Sequence, residues 1–293
     1  MRALIAVSGV SLGVLLSLSG CTSTGPVDVG YGPGAPAQLF GGMGSHTRTV
    51  TTDSGAAQQY FDEGLNWLFA FNHDEAVRSF TKAAEVDPGC AMAWWGVSYA
   101  QGPNYNDPAM SEGRSRSAWE ALEKARAAVD DETPAERALI RALGARYANP
   151  WPEDRAELDA AFADAMGEVW AAFPNDADVA SVYAESIMTK TPWMLYDVRT
   201  KEPIEAVPTI LAALERGMEI NPNHPGLNNL YSHAIEPSRN PGKAAAAADR
   251  LRGSVPTAGH LQHMPSHIYV QIGRWADAVD ANELAMAADE AYR

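Results

Sequence analysis

Three of the chain's seven histidines, His260, His263 and His267, fall within eight residues in GHLQHMPSHIY. Neutral imidazole is the commonest transition-metal ligand among side chains. His263 and His267 are four residues apart, the spacing that sets two imidazoles on one side of a helix for a divalent ion. At about 100° per residue, His260 falls on the same arc. The stretch is not an HExxH motif, because Met264 stands where the glutamate base would follow the first histidine. Pro265 removes one backbone hydrogen bond, so a kink or restart is expected there, with the carbonyl near residue 261 freed. Three readings are open: a metal site, a polar groove that binds a peptide or small ligand through imidazole hydrogen bonds, and histidines bonded to a kinked backbone. The chain has no GxSxG, phosphate loop or dinucleotide fingerprint, so it gives no signal of nucleophile or nucleotide chemistry.

The elements that must position these histidines recur along the chain. From Ala57 to Cys90, Gly64, Trp67, Ala76, Phe80, Ala83 and Pro88 stand at offsets 8, 11, 20, 24, 27 and 32 of a 34-residue unit. Small residues at 8 and 20 let two helices approach, and large residues at 11 and 24 fill the space beside them. Proline at 32 stops the second helix. This spacing resembles the tetratricopeptide repeat (TPR). Units beginning at Pro225 and Gly259 keep the same ruler. The middle is less regular, with helices expected over 114–129, 135–147, 155–172 and 175–188. GPNYNDP reads as a loop, and TKTPWMLYDVRTKEPIEA as an insertion before a helix that starts near Val207. No strand pattern competes. The expected fold is all-α, a right-handed solenoid of six stacked helix-turn-helix, TPR-like repeats.

The resemblance implies which residues share a face. Positions 2, 5, 9 and 12 of the first helix in each TPR unit project into the concave groove. His260, His263 and His267 take positions 2, 5 and 9 of the unit from Gly259. His233 and Glu236 take positions 9 and 12 of the unit from Pro225, and Glu185 takes position 9 of the unit before. Consecutive first helices lie roughly 10 Å apart. The candidate metal set is therefore His260, His263, His267, His233, Glu185 and Glu236, with zinc, copper or iron as the ion. His224, Trp95, Tyr99 and Asn229 are candidates for the wall of a ligand groove. His73 reads as a helix start, His46 precedes the repeats, and Cys90 reads as a buried, inert thiol. FNHDEAVRSFTKAAEVDPGCAMAWWGVSYAQGPNYN and AGHLQHMPSHIYVQIGRWADAVDAN resemble a group of bacterial TPR proteins, many of them exported, with an HMPSHIY motif. The resemblance covers about residues 45–293 and implies fold and export, not a reaction. No polar capping helix follows the last unit, so the repeat domain, 45–293, is expected to be truncated at its C-terminus.

A formal net charge of -15 repels nucleic-acid phosphates and excludes that partner class. Residues 1–21 read as a signal peptide, an apolar run too short to be a comfortable membrane span. The run ends in Leu18, Ser19, Gly20 and Cys21, which resembles a bacterial lipobox. That implies cleavage before Cys21, lipidation of its thiol and a membrane anchor. Residues 22–44, rich in Gly, Pro, Ser and Thr, read as a flexible tether. The expected protein is an exported lipoprotein, on the periplasmic face of an outer membrane or on the cell surface. It would present a His-rich concave site for a transition metal. Alternatives are a scaffold groove for peptide or protein partners in envelope complex assembly, and a metal-dependent enzyme.

Overall fold

Polar side chains mark where the helices begin. Ser54, Asn72, Ser111, Thr133 and Asp176 each accept a hydrogen bond from the backbone N–H three residues on, satisfying a donor that the first helical turn leaves free. They start α1 (Gly55–Phe69), α2 (His73–Val86), α4 (Glu112–Ala128), α5 (Pro134–Leu143) and α7 (Ala177–Thr189). The others are α3 (Ala91–Gln101), α6 (Ala156–Ala172), α8 (Val207–Ile220), α9 (Pro225–Ile235), α10 (Ala245–Leu251), α11 (Gly259–Gln271) and α12 (Trp275–Tyr292). This computed structural model describes residues 37–292. The expected signal peptide, Cys21 and the tether up to residue 36 lie outside the described residues. Among the described residues the fold is all-helical, with one isolated antiparallel bridge between Tyr196 and Pro203. No described helix is long and apolar enough to cross a membrane.

The helices pack in succession: α1 on α2, α3 on α4, α5 on α6, α7 on α8, α9 on α10 and α11 on α12. Small residues set the spacing, as expected. A Cβ on Gly64 of α1 or Gly96 of α3 would lie 2.7 or 2.5 Å from the Phe80 ring of α2, so that ring is clasped between two bare backbones. The expected loop and insertion fall between α3 and α4 and between α7 and α8. Across Pro265 the expected restart does not occur, and α11 is continuous from Gly259 to Gln271. Leu261, Met264, Ile268 and Tyr269 are buried on both sides of the proline, and that packing carries the helix past the missing hydrogen bond.

The inner face is closed. α1 packs on α9 as well as on α3, and α9 also touches α7 and α11. All eleven residues of α9 are buried. At the far end, the Tyr292 ring of α12 packs tilted against Trp67 of α1, centroids 5.5 Å apart, and its hydroxyl bonds Arg78 and Glu75 of α2. The expected tether ran to residue 44, but residues 37–44 lie against the helices instead. The Phe40 ring meets Trp67 and Tyr292, and Thr257 bonds the backbone of Gly41 and Gly42. The strap continues to residue 52 across the starts of several helices. His46 and Arg48 reach Asp178 and Asp176 at α7, and Thr51 bonds Glu136 at α5. Partners, not composition, fix this segment.

Candidate metal centre

α9 and α11 bring four imidazoles together in two pairs. His233 is near the end of α9, and Glu236 is the residue that caps it. On α11, His260, His263 and His267 share one face, as their spacing requires. His233 Nε2 lies 3.4 Å from His260 Nε2, with the rings nearly parallel at 13°. His267 Nε2 lies 2.9 Å from His263 Nε2, edge to face at 87°. Among the described residues no three of these ring nitrogens lie within 4.8 Å of one another, so the two pairs are separate contacts rather than one closed ligand set.

The second pair has its protons assigned by its neighbours. Asn282 of α12 donates through Nδ2 to the Ala278 carbonyl at 2.8 Å, which leaves its Oδ1 to accept from His263 Nδ1–H at 2.7 Å. Glu236 Oε1 accepts from His267 Nδ1–H at 2.8 Å. In the neutral ring a proton on Nδ1 leaves a lone pair on Nε2. The two Nε2 atoms therefore face each other at 2.9 Å, with room between them for one proton or one cation. The bond to Glu236 raises the His267 pKa against the opposing effect of burial. Burial dominates the other pair: it lowers His233 well below its ordinary value and His260 to about 3, so both are neutral imidazoles.

Aromatic rings enclose His233. Phe71 stacks on both His233 and His260, at 5.6 and 5.2 Å. Tyr105 and Trp193 meet His233 edge-on at 5.4 and 6.0 Å and touch each other at 5.1 Å. Phe71 and Trp193 are two of the three described non-glycine residues with positive φ, 57° and 63°. Bulky residues avoid this region, and such strain concentrates at functional sites. No local pattern in the chain marks either residue. Trp193 belongs to the insertion that the repeat pattern does not require.

The remaining candidates have other places. Glu185 is not joined to the imidazoles; it accepts from Tyr99 Oη at 2.7 Å, and burial raises its pKa. Tyr99 faces it from α3 and captures the carboxylate. Trp95, Tyr99, His224 and Asn229 do not wall an open groove, because the closed inner face buries all four. Trp95 stacks on Tyr99 at 5.1 Å, and Asn229 Nδ2 bonds the Phe69 carbonyl at 3.2 Å. Cys90 is buried, and burial pushes its thiol up to about 11. His73 starts α2, as expected, and burial lowers it to about 4.

A third group was not anticipated. His46, Asp178 and His224 place ligand atoms within 4.8 Å of one another and could hold a metal ion by distance. Its protons describe a different arrangement. His224 Nδ1 accepts from Leu227 N–H at 3.2 Å and caps α9, so His224 Nε2 carries the proton and donates to Asp178 Oδ1 at 3.1 Å. His46 Nε2 is 2.9 Å from the same oxygen, and Arg48 Nη1 donates to Oδ2 at 2.9 Å. Burial would raise the Asp178 carboxyl, but the His224 and His46 bonds hold it well below the usual carboxylate range. The group ties the strap to α7 and α9. Its members lie far apart in sequence, and no local spacing announces them. No protein-family model and no curated protein matches the chain.

Proposed function

We propose that the chain is a transition-metal-binding protein built on TPR-like repeats. His263 and His267 are its primary ligands, and the neighbouring His233–His260 pair would have to move toward them to complete the set. One observation carries the reading: both Nδ1–H groups are already donated, to Asn282 and Glu236, and the two Nε2 atoms meet at 2.9 Å. Two neutral rings so placed repel through their lone pairs unless a proton or a metal cation lies between them. Metal-bound histidine characteristically donates its other ring N–H to a carboxylate or carbonyl oxygen, as both rings do here. A shared proton would relieve one pair but gives no role to the second. An all-imidazole set suits zinc, copper or iron, the ions expected from the sequence. Glu236 then orients His267 rather than binding the metal, and Glu185 leaves the ligand set.

The 34-residue offsets and the packing of successive helices support the repeat reading. The LSGC sequence at Leu18–Cys21 supports an exported, lipid-anchored form. The test is metal analysis of purified chain after exposure to zinc, copper(II) or iron(II). About one tightly held equivalent per chain is expected, and it should disappear in the His263→Ala, His267→Ala double variant. Metal-free wild type, or metal retained by a folded double variant, overturns the proposal.

A further inference from the structure

A half-open cavity of about 530 Å³ lies between the end of α1, the start of α11 and α12. That volume suits a metabolite-sized ligand. His260 and His263 form part of one wall. Phe71 and Tyr292 bring two partly exposed aromatic rings from the turn after α1 and from α12, with the buried Trp67 packed against Tyr292. None of the fourteen lining residues is Lys or Arg, and Asp289 is the one carboxylate among them. Aromatic faces and a carboxylate both favour a cation, and the acidic chain adds to that preference.

The carboxylate has a defined place. A Cβ on Gly259 would lie 2.1 Å from Asp289 Oδ1, so the bare backbone at the start of α11 admits Asp289 closely. Ala258 offers that helix start no side-chain acceptor, and Asp289 stands at its positive end. From Gly259 to His263 is about one helical turn, or about 6 Å along the axis.

We propose that this cavity binds a small organic ammonium ion. The ammonium group pairs with Asp289, the apolar body lies along the aromatic rings, and the far end points toward the imidazoles. The proposal goes beyond the metal reading and does not depend on it, because every wall it uses is protein.

Titration of metal-stripped chain with phenethylamine, and with 3-phenylpropanoate as a carboxylate of similar shape, tests it by calorimetry. Saturable binding of the amine and none of the carboxylate is expected. Asp289→Asn keeps the size of the side chain but removes the charge, and should weaken amine binding on the order of tenfold. Met286 lines the same cavity and is 63% exposed, so Met286→Lys should fold normally and repel the amine. The proposal is overturned if the amine does not bind at millimolar concentration or if the carboxylate binds equally well. Amine binding unchanged in both variants also overturns it.

Discussion

An imidazole held by an acceptor on one nitrogen is a fixed and more basic ligand on the other. Glu236→Gln and Asn282→Ala should therefore each weaken metal binding by about 10- to 100-fold without removing a ligand, as read by competition with a chromophoric chelator. An unchanged affinity in both variants would detach these residues from the metal. His73 gives the pH prediction. Burial lowers its folded pKa to about 4, whereas in the unfolded chain it is near 6.5. Between those values the unfolded state binds more protons, so stability falls as pH drops from about 6.5 to about 4 and this contribution then levels off. The slope from this one histidine is at most about 1.4 kcal/mol per pH unit. His224, also lowered by burial, adds in the same direction. Urea denaturation across this window should show a shallower slope for His73→Phe than for wild type.

The elements follow from local pattern, and so does half of the site. The i, i+3, i+7 spacing placed His260, His263 and His267 on one face, and the repeat phase set His233 opposite them. Glu185 shared that phase, yet Tyr99 on the facing helix takes its carboxylate, and a repeat position does not reveal its neighbour's chemistry. Asn282, Phe71 and Trp193 were illegible because one comes from the following helix and two come from turns with no period. The clasp on Phe80 gives the test at this scale. A methyl group at Gly96 of α3 must push into the ring, so Gly96→Ala should destabilise the chain by about 1–3 kcal/mol in denaturant titration. The strained turn at Trp193 gives another. Trp193→Gly relaxes the backbone and removes the ring beside Tyr105 and His233, so metal release to a chelator should be faster at little cost in stability.

Across the whole molecule, the strap ties together elements that lie far apart in the chain. Arg48 is paired with Asp176 and Asp178, and its side chain is 11% exposed. Asp178→Ala leaves that guanidinium with one carboxylate and removes the acceptor of two histidines. The expected loss is about 3 kcal/mol or more, seen as a lower urea midpoint. The same carboxylate, held well below its usual range, contributes stability above the unfolded pKa of about 3.9 that is lost as pH falls through its folded value. These bonds also impose an order of events. His46 meets Asp178 across 132 positions, and Thr257 meets Gly41 across 216. A chain synthesised from its N-terminus presents the strap long before α7, α9 and α11 exist to receive it. Early-forming helix pairs need only local contacts, whereas the strap must wait for distant sequence. The earliest described residues to be made are thus among the last to be secured, and chain closure becomes a concluding step of folding.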